Sequence, residues 1–530
     1  MNKLVIGILF LAWSALGPAL GPALAATPKN TLVMAKAIDD MVTMDPAEIY
    51  ELSNSEIAVN VYDRLMGLEP EDIAKLVPTA AESYTVSDDG KTFTFKLRPG
   101  LTFHSGNPLT ADDVAFSLQR VIILNLTPAY ILQQLGWTPE NVKDLIRAID
   151  DRTLEVKVTG DFAPSFTLNC LSTVASSIVD KKEVLAHEKK GDLGHDWLKT
   201  HSAGSGAFSM KSWKPNESVV LESNAGFRRG KPSIDRVIIR HVPEAATQRL
   251  LLEKGDIDIA RNLTSDQVKG VAADKDIVVE AAPKAILYYL GLSQKVPALA
   301  NPKVQESLRW LIDYQGMADS FLKGRFIVHQ SFWPAGFYAS LTDTPFKLDV
   351  AKAKALLADA GYPDGFEIEL DAPNTQPFVD IAQSIQSTFA QAGVKVKIVS
   401  SEVKQALTKY RARNHQMIIM FWGPDFLDPH ANADSFASNP DNSDSSKSKP
   451  LAWRNSWAIP EITAETAAAA KELDADKRRD MYLDLQRKLQ QAGPFAVMFQ
   501  ETEQLARRAD VKGFFSGPNA DLVFFYGVTK

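Results

Sequence analysis

The clearest pattern of hydrophobic and polar positions in this chain runs from Leu76 to Ile122. Residues Thr92–Leu97 alternate polar and apolar side chains, which predicts a half-buried strand. Turn signals flank this strand, because Asp88-Asp89-Gly90 precedes it and Pro99-Gly100 follows it. Thr110-Ala-Asp-Asp113 has the spacing of a capping box and predicts the start of a helix. That helix carries one apolar face, formed by Val114, Leu118, Val121 and Ile122.

A second patterned segment spans residues 203–260. It predicts a hairpin with glycine turns, followed by a strand at Arg236–Arg240. The spacing within Glu244–Glu253 predicts a helix that ends at Gly255, since a glycine there can adopt the left-handed conformation of a helix end. A short strand is expected around Ile257–Ile259.

The pattern changes after Pro283. Leu287–Leu292 is a short apolar run that predicts a buried strand. Further along, strand-like Phe366–Leu370 is followed by a helical pattern over Phe378–Ala392 and a second strand at Val394–Val399. A strand, a helix and a strand in this order predict a parallel unit with a right-handed crossover, so this part of the chain is expected to form an α/β lobe.

The remaining helices of this part are predicted from their apolar stripes. One stripe begins at Val304, continues through Leu308, Leu311 and Ile312, and is expected to end at Gly324. Charged amphipathic helices are predicted around Pro460–Leu473 and Asp476–Gln491. Gly493-Pro494 then ends the last long helix, and the tail returns to strands and turns.

Composition narrows the possible classes of protein. The chain has 530 residues, is 45% hydrophobic and carries a formal net charge of −7. This balance allows a large core and argues against nucleic acid or an acidic lipid surface as a partner. Cys170 is the single cysteine, so an intrachain disulfide is excluded. It lies in an apolar-rich stretch, where a small buried residue is the simplest interpretation.

Met1–Ala25 has the pattern of a secretory signal peptide. Lys3 supplies a short positive region, Leu4–Leu16 an apolar run, and Ala23-Leu24-Ala25 the small residues of a cleavage site. Pro18 and Pro22 interrupt the run, which is shorter than the roughly 20 residues that a membrane span needs. We therefore expect export, cleavage and a mature protein free in the periplasm.

Catalytic and metal-binding motifs are not recognisable in the chain. Gly204-Ser205-Gly206 lacks the outer glycines of a nucleophile elbow and is interpreted as a hairpin turn. The eight histidines are scattered, without a Cys/His cluster. The oxygen-rich run Asp428–Asp434 has Ala433 where a calcium loop needs glycine. The expectation is a protein that is not an enzyme and uses no metal or cofactor.

The strongest candidate for binding chemistry follows a buried strand. Met417–Met420 is apolar, and the next residues include Trp422 and Asp425. Open α/β sheets bind ligands beyond the carboxyl ends of their strands, which is where these two side chains fall. On the residues alone, a loop aspartate beside a core tryptophan is the favoured interpretation.

The two patterned segments, Leu76–Ile122 and residues 203–260, closely resemble the family 5 extracytoplasmic solute-binding proteins. The second segment contains the family's G-K-P-x-x-D connector at Gly230–Asp235 and its L-x-x-G-x-x-D step at Leu252–Asp258. These proteins are peptide- and nickel-binding receptors of ABC importers.

The resemblance implies a two-lobed α/β fold of the periplasmic-binding-protein type II class, with an extra subdomain, a hinge and a ligand cleft between the lobes. Residues 26–283 with 494–530 would form lobe I, including the extra subdomain at about 66–200, and residues 284–493 would form lobe II. The hinge crossings would lie near Pro283–Tyr289 and Gly493–Val497.

The same resemblance assigns the site. Peptide-binding members carry a W-x-x-D pattern that Trp422 and Asp425 match, which implies that Trp422 lines the pocket and that Asp425 pairs with a peptide's α-ammonium. Tyr50 lies in a loop that faces the cleft in relatives. Gln376 stands where dipeptide receptors have an arginine that clamps the ligand's carboxylate. Ligands longer than dipeptides, or a non-peptide amine, are therefore expected; Arg411 and the nearby Arg413 are interpreted as surface charges.

The function that the resemblance implies is capture of peptides, most simply oligopeptides, by a monomeric periplasmic receptor and their delivery to an ABC permease in the inner membrane. The residues leave other ligands open within that role, such as an opine, an oligosaccharide or a metal chelate. A periplasmic chaperone or a hydrolase assembled from distant residues stays open as well. The identity of the ligand and of the permease is not encoded in any motif.

Overall fold

The computed structural model describes residues 27–530 except 71, 262 and 447. The predicted signal peptide, Met1–Ala25, lies outside the described residues. Among the described residues the strands are β1 (Thr31–Lys36), β2 (Met66–Glu69), β3 (Asp72–Pro78), β4 (Ala81–Val86), β5 (Thr92–Leu97), β6 (Ile146–Asp150), β7 (Thr153–Lys157), β8 (Phe208–Lys214), β9 (Ser218–Ser223), β10 (Arg236–His241), β11 (Ile259–Ala260), β12 (Ile277–Leu292), β13 (Phe326–Val328), β14 (Glu367–Pro373), β15 (Lys395–Ser401), β16 (Met417–Trp422), β17 (Phe495–Arg508), β18 (Phe515–Ser516) and β19 (Val523–Phe524).

Helices of very different length connect these strands. In the described part of the chain they are α1 (Leu52–Val61), α2 (Ala111–Leu124), α3 (Ala129–Gln133), α4 (Val142–Leu145), α5 (Pro164–Cys170), α6 (Lys181–Ala186), α7 (His195–Leu198), α8 (Ala245–Lys254), α9 (Ser265–Val271), α10 (Pro297–Ala300), α11 (Pro302–Trp310), α12 (Tyr314–Asp319), α13 (Val350–Asp359), α14 (Phe378–Ala390), α15 (Val403–Arg411), α16 (Pro429–Phe436), α17 (Leu451–Arg454), α18 (Pro460–Lys471) and α19 (Ala475–Gln491). None of the described helices has both the length and the apolarity of a membrane span.

One mixed sheet runs through both halves of the molecule. Its strands follow the order β15-β14-β16-β12-β17-β11-β1-β10-β9-β8, and β13 pairs with β17 at one side. The predicted strand–helix–strand unit is confirmed, because β14 and β15 are parallel and α14 connects them. The α/β fold class is therefore confirmed by the sheet itself.

The two longest strands, β12 and β17, connect the halves of this sheet. Their pairing is interrupted by a register shift between Pro283 and Leu287, which coincides with the first predicted crossing. On β17, Gln500 pairs with Leu287 whereas Thr502 pairs with Pro283, so the register shift on this strand lies between residues 500 and 502. The sequence predicts the second crossing near Gly493–Val497, at the start of β17, and the positions of both crossings stay predictions. The division into lobes stays a prediction, and we keep its names below.

The extra subdomain has a core of its own. Strands β4, β5, β7 and β6 form a four-stranded antiparallel sheet on which α2 packs its predicted apolar face. Helix α2 begins where the capping pattern predicts, and the backbone N–H of Thr110 donates a hydrogen bond to the Asp113 carboxylate at 2.9 Å. Cys170 is buried in this core, as expected.

The family motif at the end of α8 has a structural role in lobe I. Gly255 ends the helix in the left-handed conformation with φ of 78°. Asp258 is 1% exposed, accepts a hydrogen bond from the backbone N–H of Val33 at 2.7 Å, and pairs with Lys530 at 2.9 Å. The motif therefore joins strand β1 to the last residue of the chain.

One helix prediction in lobe II is wrong. The stripe from Val304 to Gly324 forms two helices, α11 and α12, rather than one. The break occurs because Asp313 acts as a cap, and its side chain accepts a hydrogen bond from the backbone N–H of Gly316 at 3.0 Å. A side chain that satisfies the first N–H groups of a new helix favours a restart over continuation.

A cluster of buried charges lies where the hinge strands join lobe I, and we call it the hinge charge cluster. Arg261 donates to Glu56 at 3.1 Å and to Glu503 of β17 at 3.0 Å. Lys36 pairs with Glu56 at 2.6 Å, and Lys284 of β12 pairs with Glu503 at 2.9 Å. Burial alone would raise the pKa of Glu503, but Arg261 and Lys284 lower that pKa below its usual value.

Two buried histidines predict acid sensitivity of lobe II. Burial lowers the pKa of His329 and of His415 to about 4. Between pH 6.5 and 4 the unfolded chain therefore binds protons that the folded lobe does not. The free energy of unfolding consequently falls as the pH is lowered from 6.5 to 4. Below pH 4 these two groups add no further loss. Each site contributes roughly 3 kcal/mol.

We expect His415→Gln to flatten this part of the pH profile of thermal unfolding, measured by calorimetry. His201→Gln, a change at an exposed histidine, serves as the control. An unchanged slope in His415→Gln would show that His415 does not titrate as its burial requires.

Candidate ligand-binding cleft

The loop after β16 is held at both ends. Trp422 closes the strand, and its indole N–H donates to the Asn432 side chain at 3.1 Å. Asp428 caps α16 by accepting from the backbone N–H of His430 at 2.9 Å, and it forms a two-point ion pair with Arg478 at 2.7 and 3.0 Å. Because Asp428 is fully engaged and begins a helix, the run from 428 to 434 is not a calcium loop. The loop between these anchors presents Asp425.

Asp425 meets two tyrosines of the opposite lobe. The hydroxyl of Tyr50 donates to Asp425 Oδ1 at 3.1 Å and lies 3.4 Å from the hydroxyl of Tyr130. The tyrosine rings pack edge to face with centroids 6.3 Å apart. The structure thus brings together Tyr50 and Asp425, which the sequence analysis assigned to different lobes of one cleft, and adds Tyr130 of α3 to them.

The electrostatics of this carboxylate are unusual. Burial raises the pKa of Asp425 above its usual value, and the hydroxyls of Tyr130 and Tyr50 offset that shift only in part. Burial, followed by the charge of Asp425, raises the pKa of both tyrosines. Among the described residues no lysine or arginine forms an ion pair with Asp425. Asp425 is half-buried, and a carboxylate that has lost part of its water and has only hydroxyl partners is stabilised by an incoming cation.

Trp422 lies three residues before Asp425 and packs partly against the core of lobe II. Its side chain is half-buried, and the guanidinium of Arg454 lies 5.9 Å from its ring centroid. Arg454 is itself half-buried, and its Nε donates to the Lys449 carbonyl at 3.2 Å. Sequence reasoning missed Arg454, because the 31 positions that separate it from Trp422 include a long polar loop without a recognisable motif.

The interpretation of two arginines as surface charges is half right. Arg411 is exposed at the end of α15, and its charge acts to lower the pKa of Tyr50, against the larger effects of burial and Asp425. Arg413, in contrast, is only 5% exposed and donates to Asn442 at 2.8 Å and to Asp444 at 3.0 Å. The surface interpretation of Arg413 is wrong, because its guanidinium is buried against the loop that holds these two partners.

Gln376 follows β14 at the same edge of the sheet. Strand β14 runs parallel to β16, with Leu370 opposite Met417, and Phe378 lies 6.1 Å from Phe421 between ring centroids. Gln376 itself is exposed and contacts neither Asp425 nor Trp422 through a hydrogen bond among the described residues. Its role in binding stays a prediction.

Comparison with known proteins identifies the family. The family model of bacterial extracellular solute-binding proteins, family 5, matches residues 75–444. The chain is 28% identical over 507 residues to the probable D,D-dipeptide-binding periplasmic protein DdpA of Escherichia coli strain K12. The alignment covers 94% of this chain and 94% of that protein. It is 26% identical over 518 residues to the glutathione-binding protein GsiB of Salmonella typhimurium, covering 95% of this chain and 94% of that protein.

The fold agrees with that assignment. The structure of HbpA2 from Haemophilus parasuis superposes with a TM-score of 0.80 at 25% identity, covering 94% of this chain and 99% of the other. The chain belongs to the family 5 bacterial extracellular solute-binding proteins. The family assignment and the structural match confirm the expected two-lobed fold. The members of this family are solute-binding receptors.

Proposed function

We propose that this protein is the periplasmic receptor of an ABC importer for peptides, and that Asp425 binds the ligand's α-ammonium. The observation that carries the proposal is the half-buried carboxylate of Asp425, whose partners are the hydroxyls of the more exposed Tyr50 and Tyr130. The ligands in the names of two relatives, a D,D-dipeptide and glutathione, are peptidic and support the same class. The receptor would pass its ligand to an inner-membrane permease and perform no chemistry.

The ammonium fits this position for a physical reason. A cation entering the cleft loses its hydration, and a carboxylate with two further hydroxyl oxygens replaces that hydration with charge-assisted hydrogen bonds. Tyr50 and Tyr130 can turn their hydroxyl oxygens toward a donor, since a phenol both donates and accepts. Trp422 adds an apolar surface that accepts different side chains.

Arg411 and Arg454 supply the opposite charge. The first is exposed beside Tyr50, the second lies against Trp422, and neither forms an ion pair with an acidic side chain of the described residues. Their guanidinium groups would bind carboxylates of the ligand, either terminal or on a side chain. A ligand with both an ammonium and a carboxylate therefore matches the cleft better than a neutral sugar.

The length of the peptide is predicted from Gln376. An amide at this position cannot hold a carboxylate at a fixed distance as strongly as an arginine fork does. We expect tri- to pentapeptides to stabilise the protein more than dipeptides in a thermal-shift panel. A panel in which dipeptides give the largest shifts would contradict this prediction of length without affecting the receptor function.

Native mass spectrometry of protein purified from the periplasm tests the function itself. We expect a co-purified peptide, and an intact mass that lacks residues 1–25. After unfolding and refolding to remove the ligand, calorimetric titration should recover binding of that peptide and not of its N-acetylated form. Binding of an opine, sugar or metal chelate in place of every peptide tested would refute the peptide assignment.

A further inference from the structure

An aromatic cluster that is separate from the tyrosine pair joins lobe II to the extra subdomain. Phe426, the residue after Asp425, is 5% exposed and is buried in the core of the subdomain. Its ring packs edge to face on Phe166 of α5, with centroids 5.3 Å apart. His430 contacts the same Phe166 ring at 5.6 Å, and Phe162 stacks on it at 4.4 Å. We call Phe162, Phe166, Phe426 and His430 the interlobe aromatic cluster.

Further contacts along the same boundary support this cluster. Leu427 packs against the apolar patch of lobe I that includes Leu68 and Phe524. The backbone N–H of Ala163 donates to the carbonyl of Ala470 in α18 at 2.8 Å. Lobe II thus inserts two consecutive apolar side chains, Phe426 and Leu427, into surfaces of the other half of the molecule.

We propose that Phe426 is a latch that stabilises the contact between lobe II and the extra subdomain independently of any ligand. The cluster consists of the protein's own side chains, and opening the lobes must expose Phe426 to water. Exposure of a buried phenylalanine shifts a two-state equilibrium by about tenfold to a hundredfold. The latch therefore raises the fraction of molecules in which Asp425, Tyr50 and Tyr130 are already assembled.

The position of Phe426 couples the latch to binding. Asp425 and Phe426 are adjacent in one short loop that Trp422 and Asp428 anchor at its ends. Movement of this loop away from Phe166 would carry Asp425 away from the tyrosines. Because apparent affinity scales with the fraction of molecules in the binding-competent arrangement, losing the latch weakens binding without removing any contact to the ligand.

The test measures the distance between the lobes directly. Spin labels at Lys189→Cys in the subdomain region and Lys477→Cys in α19, both exposed positions, are introduced in a Cys170→Ser background. In refolded protein without peptide we expect the short interlobe distance to dominate, and Phe426→Ala to shift the population toward longer distances by at least tenfold. Phe366→Ala is the matched control, since Phe366 packs on Tyr362 inside lobe II at 5.3 Å.

Interlobe distance distributions that are the same in Phe426→Ala and in the parent protein would overturn the latch. A parent protein in which the long distance already dominates without peptide would overturn it as well. If Phe426→Ala does not fold, as judged by circular dichroism, Phe426→Leu should give a smaller shift in the same direction. The affinity arm rests on the proposed function: we expect the peptide Kd of Phe426→Ala to rise in proportion to the measured fall in the fraction of molecules with the short interlobe distance. If no variant and no parent protein binds peptide, the proposed function fails while the distances still decide the latch.

Discussion

Asp425→Asn is expected to weaken peptide binding by at least a hundredfold. Asp425 is half-buried in the free protein, and the proposed ligand would cover it; removing one partner of a charge pair buried in this way costs roughly 3–5 kcal/mol, because the other charge is left buried and unpaired. Asparagine keeps the size of the side chain and its hydrogen bond with Tyr50, so the change removes the charge and little else. Isothermal titration calorimetry of the refolded protein with its co-purified peptide measures the loss directly.

The control for this change is Asp441→Asn, which alters a surface carboxylate of the same lobe. It should leave the affinity unchanged. Two results would reject the role of Asp425: equal affinity in Asp425→Asn and the parent protein, or equal binding of an N-acetylated peptide.

Acidification should imitate the Asp425→Asn change. Burial raises the pKa of Asp425 in the free protein, whereas a bound ammonium favours the charged carboxylate. Affinity is therefore greatest above the raised pKa and falls as the pH drops through it, at a higher pH than an ordinary aspartate would require. In Asp425→Asn this part of the pH dependence should be absent.

The second large effect is expected in the hinge charge cluster. Arg261→Met removes the cation between Glu56 and Glu503, both of which are less than 10% exposed. Lys36 and Lys284 still neutralise one carboxylate each, but the hydrogen bonds that Arg261 donates to both are lost. Breaking a buried charge network of this kind costs roughly 3–5 kcal/mol of unfolding free energy. Differential scanning calorimetry should show the loss as a lower unfolding temperature.

Arg249→Met is the matched control for the hinge change. Arg249 pairs with Glu253 on the surface of α8 at 2.7 Å, and both side chains are about one-third exposed. Pairs of this kind contribute about 0.3–0.5 kcal/mol. If the two arginine variants melted at the same temperature, burial of Arg261 in the cluster would not matter for stability.

Local patterns in the sequence predict the secondary structure well where they are strong. The alternation in Thr92–Leu97 corresponds to strand β5, and the unit from 366 to 399 forms a parallel pair of strands with α14 between them. These elements follow from neighbouring residues, since side-chain periodicity and turn residues act within a few positions. The single helix predicted through Gly324 fails because the cap formed by Asp313 outweighs the apolar stripe.

The residues of the candidate site also differ in whether the sequence predicts them. Trp422 and Asp425 follow an apolar strand, so their positions at the edge of a sheet are predictable from the sequence, and the family resemblance adds Tyr50. Tyr130 and Arg454 belong to short helices without a distinctive pattern, and only the fold brings them to the cleft.

What the sequence by itself determined is the class of protein, its α/β elements and the loop that carries Asp425. Only the tertiary structure decided that Tyr130 shares a carboxylate with Tyr50 and that Phe426 enters the core of the subdomain. The physical reason is separation along the chain. Nearly 300 residues lie between Tyr130 and Asp425, so no local periodicity encodes their contact, which forms when β12 and β17 set the two lobes against each other.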